Sequence, residues 1–393
     1  MELTYEQAKN NYEKGDLANS FQYVSTIAKA GDLNMACILA TMYENGVGVT
    51  QDLNEAIKIY QFAAEKGNLG AQCAYGTMLI TGKKIKQDIA AGLQLLKQSA
   101  DAGNVLAEYN LGYIYEVGLL VPQDLEEAVR LYKSSKDKGG LKSLVRLGYM
   151  YLNGKGVLQS NEDAYNCFYT SAAQGEGEGA YNLGLMFEYG IGIEANLKEA
   201  ISCYKSAAQD GNDKALFILG EKFAAGHGVE RDELKAFECF QLSAQLGNTY
   251  AQNNLGLFYE TGIAIESNVI EAMKWYKLAA ESGNSKAMYN LGIMYDGGYD
   301  NIPPHYEEAM KWYKLAAEKG DEAAQACIGS MFEHGRGVQS DSNEAIKWYK
   351  LSIENGSVIG KECLELIIKN QVNHQATTTD TEVKSSTKST KKS

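Results

Sequence analysis

The sequence predicts an all-α fold, a solenoid of helix-turn-helix repeats, and three observations carry that prediction. A helix-breaking glycine recurs at Gly31, Gly67, Gly103, Gly139, Gly175, Gly211, Gly247, Gly283, Gly320 and Gly356, in steps of 36 residues with one step of 37 between Gly283 and Gly320. Each interval holds two apolar stripes of helical period. The stretch EAMKWYKLAAESGNSKAMYNLGIMY, from Glu271 to Tyr295, shows the pattern: the end of one striped helix, a Gly-Asn break and a second striped helix. Prolines number three against 40 glycines, and the glycines sit at recurring positions, so they mark helix ends. A fixed period of about 20 to 50 residues with two helices per copy is how a chain builds stacked units that bury their apolar sides on one another.

Residues 1–30 read as a worn capping repeat, with Tyr5 to Tyr12 standing for its first helix and Asp16 to Lys29 for its second. Nine repeats fill residues 31–355, and residues 356–370 supply a closing helix. Residues 371–393 are polar and rich in Lys, Ser and Thr, a composition unable to bury a core, so disorder is expected there. The one-residue insertion falls near Tyr299 to His305, where Pro303 and Pro304 predict an extended loop and a local bulge.

Within a repeat, each recurring residue has a mechanical reason. The first helix opens after Gly-Asn or Gly-Asp and carries a Leu-Gly pair, as at Leu111-Gly112, Leu183-Gly184 and Leu255-Gly256. A glycine inside a helix costs about 1 kcal/mol relative to alanine, so its recurrence predicts close helix-helix approach. A Gly-X-Gly-Val loop follows, at Gly46 to Val49, Gly154 to Val157, Gly226 to Val229 and Gly335 to Val338. The second helix opens with a capping box, Asp52 with Glu55, Asp124 with Glu127, Asn268 with Glu271 and Asp341 with Glu344, and runs to a Tyr or Phe.

Formal net charge is −13; the segment after residue 370 carries four lysines against Asp380 and Glu382, which leaves −15 on the rest. Such a balance argues against nucleic acid or anionic lipid as the partner of a whole face. No apolar run approaches the roughly 20 residues of a membrane span, and the N-terminus has no signal-peptide core, so a cytoplasmic or nuclear chain without membrane insertion is expected. The seven cysteines fall at equivalent positions of neighbouring repeats, with none on both helices of one repeat, and read as reduced apolar packing residues.

These residues, in the order G-N-x-x-A-x-x-x-L-G-x-x-Y-x-x-G-x-G-V-x-x-D-x-x-E-A-x-x-W-Y-x-x-A-A-E, resemble the Sel-one-like repeat, a relative of the tetratricopeptide repeat with a longer loop, from about residue 16 to 370. The resemblance implies a right-handed α/α superhelix acting as an adaptor or scaffold. A secreted branch of the family holds a disulfide inside each repeat; this chain lacks that spacing.

No catalytic residue, metal site or cofactor emerges. His227, His305, His334 and His374 lie in loops and the tail without a second ligand at metal spacing, and the Gly-X-Gly loops lack a following Lys-Ser/Thr. Trp275, Trp312 and Trp348 share a slot that earlier repeats fill with Ile59, Leu95, Leu131, Cys167, Cys203 and Cys239, which reads as packing between repeats, with an aromatic ledge as the alternative.

Seven positions after the repeat glycine the chain has Asn110, Asn182, Asn254 and Asn290, with Arg146 in the same slot, and the resemblance to tetratricopeptide repeats places that slot in a concave groove. An asparagine amide is donor and acceptor at once and suits the backbone of an extended peptide. Glu44, Glu116, Glu188 and Glu260, and Lys142, Lys214 and Lys286, recur every 72 residues. That recurrence reads as a groove matched to a partner, as a duplicated two-repeat module, or as drift on a solvated face. The expected function is a non-enzymatic scaffold for a protein or peptide partner. The alternatives are a regulatory subunit of a kinase, synthase or ubiquitin-ligase complex, and a glycan- or small-ligand-binding repeat protein.

Overall fold

The structure is a computed structural model, and it describes residues 13–82, 85–299 and 303–370. The chain divides into two compact units, with the boundary between Asp210 and Gly211. In the first, α1 (Leu17–Lys29) precedes five helical pairs: α2 (Leu33–Asn45) and α3 (Leu53–Glu65), α4 (Leu69–Thr81) and α5 (Ile89–Asp101), α6 (Val105–Val117) and α7 (Leu125–Asp137), α8 (Leu141–Asn153) and α9 (Asn161–Ala173), α10 (Gly177–Tyr189) and α11 (Leu197–Gln209). In the second, the pairs are α12 (Asp213–Ala225) and α13 (Glu233–Gln245), α14 (Thr249–Thr261) and α15 (Val269–Glu281), α16 (Ser285–Gly297) and α17 (Tyr306–Glu318), α18 (Glu322–His334) and α19 (Ser342–Glu354); α20 (358–370) follows. Each unit is therefore an all-α solenoid of helix-turn-helix repeats. The expected helix at Tyr5 to Tyr12, most of the insertion loop and the tail lie outside the described residues.

Helix ends follow from local chemistry. First helices are capped by Asp32, Asn68, Asn104, Asn212, Asn248, Asn284 and Asp321, whose side chains accept from backbone N–H groups one turn in. They stop at glycines in the left-handed region, such as Gly262 at φ 72°.

The second-helix capping box is only half formed. Asp52 accepts from Glu55 N–H at 3.0 Å, but its own N–H donates to Tyr43 O at 3.0 Å, and Asp124 to Tyr115 O and Asn268 to Tyr259 O repeat the arrangement. With that donor already satisfied, the glutamate turns outward to a cation three residues on, as Glu127 does to Arg130 and Glu271 to Lys274.

Seven hairpins, from Gly112 with Tyr132 to Gly329 with Tyr349, close on one contact; in α2–α3 the glycine slot opposite Tyr60 holds Ala40, and in α4–α5 Gly76 meets the backbone at Gly92 and Leu96. In the seven, the ring of the second helix lies flat against the glycine of the first: a Cβ on Gly184 would sit 2.6 Å from Tyr204, on Gly220 2.6 Å from Phe240, and on Gly256 2.7 Å from Tyr276. The helix-interior glycines are thus the floor on which the largest buried side chains rest. Trp312 is buried, and Trp275 and Trp348 pack against buried clusters, so these tryptophans are packing residues.

One backbone position departs from its siblings. Ala264 takes φ 64° where the equivalent Gly48, Gly156, Gly192, Gly228 and Gly337 take 68° to 77°. Alanine pays for that region in steric strain. Two substitutions should therefore act in opposite senses: Ala264→Gly should raise the free energy of urea unfolding by up to about 1 kcal/mol. Gly256→Ala should lower it by about 1–3 kcal/mol through overpacking, although helix propensity alone favours alanine. Circular dichroism on both variants reads the two signs.

Candidate interaction surface

Within each unit, neighbouring first helices touch (α2 with α4, α4 with α6, α8 with α10, α16 with α18), whereas no two second helices approach as closely among the described residues. First helices therefore form the inner row of each unit. Positions 3, 7, 10 and 14 after the repeat glycine fall on one side of such a helix, by helical spacing. In α6 these are Leu106, Asn110, Tyr113 and Val117; in α8, Lys142, Arg146, Tyr149 and Asn153; in α10, Glu178, Asn182, Leu185 and Tyr189.

The acidic residues expected as groove rungs are occupied inside the hairpins. Glu116 accepts from the Tyr132 hydroxyl at 2.8 Å, Glu188 from Tyr204 at 2.7 Å and Glu260 from Tyr276 at 2.7 Å; Glu44 with Tyr60 and Glu333 with Tyr349 do the same. Glu260 also accepts from Tyr299 at 2.6 Å. The sequence carries the matching signal: sixteen residues before Phe168 and Phe240, which have no hydroxyl, stand Leu152 and Ala224 instead of an acid. The 72-residue recurrence of Glu is thus the alternation, in the facing slot, of Tyr with the hydroxyl-free Leu96, Phe168 and Phe240.

The asparagine slot connects repeats at Asn110 and Asn290. Asn110 Nδ2 donates to Thr77 Oγ1 at 3.4 Å in the preceding first helix, and Asn290 Nδ2 to Asn253 Oδ1 at 3.0 Å. Asn182 is buried and gives its Nδ2 to Glu178 O at 2.7 Å, while Asn254 Oδ1 accepts from its neighbour Asn253. Arg146 reaches back to Glu116 with both Nε, at 3.0 Å, and a terminal nitrogen. Its guanidinium lies 5.3 Å from the Tyr113 ring centre and 5.9 Å from that of Tyr149. Lys142, Lys214 and Lys286 are exposed on first turns.

Beside exposed polar residues such as Asn34, Lys142 and Glu178, the inner row leaves large apolar side chains open: Leu106 is 52 % exposed, Tyr113 46 % and Tyr189 68 % in the first unit, and Tyr250 is 62 % and Leu257 42 % in the second. Those apolar residues escaped a search of the sequence for polar ladders; their helical position was the signal that could have found them.

Among the described residues, no group of three or more His, Cys, Asp and Glu is arranged to hold a metal, and no helix is long and apolar enough to cross a membrane. The seven cysteines are free. Burial pushes the thiols of Cys73, Cys167, Cys203, Cys239 and Cys327 up to about 11.

This geometry defines a class, the α-solenoid whose repeats are joined through aromatic-on-glycine hairpins. A model of the Sel1 repeat matches nine stretches: residues 34–68, 70–104, 105–140, 141–176, 177–212, 213–248, 249–284, 285–321 and 323–357. The chain belongs to the Sel1 repeat family. Among solved structures it is similar to a protective antigen of uropathogenic Escherichia coli with an SLR fold (29 % identity over 88 % of this chain and 73 % of that one, TM-score 0.61). It is also similar to a Sel1 repeat protein from Oxalobacter formigenes (25 % identity, 79 % and 90 %, TM-score 0.54). No curated protein matches it.

A double-mutant cycle tests the hairpin latch. Glu188→Leu leaves the buried Tyr204 hydroxyl without an acceptor and should cost about 1–3 kcal/mol. Adding Tyr204→Phe should recover much of that loss, because the pair then copies Leu152 and Phe168 of the preceding repeat. Urea unfolding of the four proteins reads the coupling.

The same latch sets an alkaline limit. Burial raises the hydroxyls of Tyr60, Tyr132, Tyr204, Tyr276, Tyr313 and Tyr349 well above the ordinary tyrosine value, and for Tyr204 the bond to Glu188 adds to it. A group held protonated by folding contributes stability in full below its unfolded value, about 10, and loses it as pH rises further. Absorbance titration should show these tyrosines ionising only together with loss of helical signal.

Proposed function

We propose that this chain is a non-enzymatic adaptor that holds a partner protein or extended peptide on the inner row of first helices. The observation that carries this reading is the exposed apolar set on that row, Leu106, Tyr113, Val117 and Tyr189, beside the cationic Lys142. Aromatic side chains presented on a rigid scaffold bury large area at small entropic cost, which is the make-up of interface hot spots. Sel1 repeats generally serve as scaffolds for other proteins, and this agrees with the arrangement.

In this reading Asn110, Arg146 and Asn290 keep the row in register, Asn182 and Asn254 bond within their own helices on it, Glu116, Glu188 and Glu260 lock the hairpins beneath it, and Lys142, Lys214 and Lys286 edge it. Arg146, fixed between two tyrosines, presents a pre-oriented cationic plane. Seven free cysteines support a reducing compartment, cytoplasmic or nuclear.

The test is affinity capture from the source cells by the immobilised chain. Replacing Tyr113 and Tyr189 by Ala and Lys142 by Glu together should reduce captured partner by about tenfold, the effect of removing one hot spot. Lys58→Glu, on the exposed side of α3, should leave capture intact, and helical content should match in all three proteins. Undiminished capture by the inner-row variant contradicts the proposal.

A further inference from the structure

The outer side of the first unit holds a cleft of about 330 Å³. Lys133 and Lys136 of α7 form one wall, α9 forms the other with Cys167, and Leu144, Leu147 and Tyr151 of α8 form the floor. Its volume is at the lower end for a ligand site, the scale of one aromatic side chain with its neighbours.

The chain itself records what this place holds when it is filled. Cys167 occupies the slot that carries Trp275, Trp312 and Trp348 in later repeats. Trp312 is 7 % exposed, and Trp275 packs against a cluster containing Ala244 and Leu255. Those two residues are the counterparts of Lys136 and Leu147, 108 positions on. The same apolar floor is thus covered by an indole from the chain in one repeat and by a thiol in another. A thiol cannot span the gap between the second helices, and the cleft stays open.

Its mouth also carries one cation, Lys136, that the tryptophan-filled repeats lack. Lys136 stands where the three tryptophan-filled repeats have Ala244, Ala280 and Ala317, whereas the counterparts of Lys133 are Gln241, Lys277 and Lys314. Both lysines are exposed, and both act electrostatically on the Cys167 thiol, opposed by Asp163. Lys136 also lies 3.7 Å from Asp137 outside the cleft, and the lining itself carries two cations against the one carboxylate of Asp163, on a chain of net charge −13.

We propose that the cleft over Cys167 is a docking site for a partner segment that inserts a tryptophan side chain next to an acidic residue, the ring on Leu144, Leu147 and Tyr151 and the carboxylate at Lys133 and Lys136. The site is separate from the inner row and does not depend on the adaptor reading of that row. Recognition combines an aromatic anchor in a preformed pocket with charge complementarity at the rim, so the ring sets most of the affinity and the lysines its salt dependence.

The probe is the dipeptide N-acetyl-Asp-(5-fluoro-Trp)-amide, titrated into the full chain and followed by fluorine NMR. Wild type should show saturable broadening that weakens with added salt, and N-acetyl-Lys-(5-fluoro-Trp)-amide should bind more weakly. Cys167→Trp fills the cleft from within and should weaken binding by about tenfold or more while the thermal midpoint holds or rises. Lys133→Glu with Lys136→Glu changes only exposed positions and should reverse the preference between the two dipeptides. Absence of saturable binding to wild type, equal binding to Cys167→Trp as a folded protein, or an unchanged dipeptide preference in the charge-reversed variant each overturns the proposal.

Discussion

The structure depends on a ring placed where a side chain is missing. In hairpin after hairpin the second-helix aromatic rests on the first-helix glycine, closer than any Cβ would permit. The tyrosine hydroxyl reaches the carboxylate at the end of the first helix, as Tyr60 reaches Glu44 even with Ala40 in the glycine slot, and the loop length keeps the two residues 16 apart in sequence. A buried hydroxyl without an acceptor is costly, so the acid appears where the ring is Tyr132, Tyr204 or Tyr276 and gives way to Leu152 or Ala224 where it is Phe168 or Phe240. Packing and polar satisfaction are one device.

Because the latch uses the side of the first helix that faces its own partner helix, the opposite side is left for other work. Part of it joins neighbouring repeats through Asn110, Arg146 and Asn290, and part presents Tyr113, Tyr189 and Tyr250 to solvent. The outer side obeys a different rule. There the slot of Cys167 and Trp312 decides, repeat by repeat, whether the groove between second helices is filled by the chain or left to something else. A repeated scaffold can in this way vary one residue per copy without altering the hairpins that hold it.

Much of this was legible in the sequence, because much of it is local. The glycine period, the N-caps and the glycine C-caps are decided within one turn of the chain, and the structure has them at the expected residues. The half-formed capping box was not legible, since the competing acceptor, a carbonyl nine residues back, is placed by the loop's path. The role of Glu116, Glu188 and Glu260 was present in the letters but between two slots, and periodicity read along a single slot turns it into an unexplained 72-residue repeat. The partners of Asn110 and Asn290 lie in the preceding repeat and depend on the spacing between first helices, which no sequence states. Likewise the substitution of Cys for Trp is visible in the letters, whereas the cleft it opens is not.

Native-state hydrogen exchange on Gly184→Ala measures the central claim most directly. The added methyl displaces the Tyr204 ring and strikes one hairpin, and in a chain stabilised hairpin by hairpin the loss should be graded along the stack. Protection should fall most in α10 and α11, less in α9, and least in α2 and α3. A uniform loss of protection from α2 to α11, or no loss at all, would contradict the account.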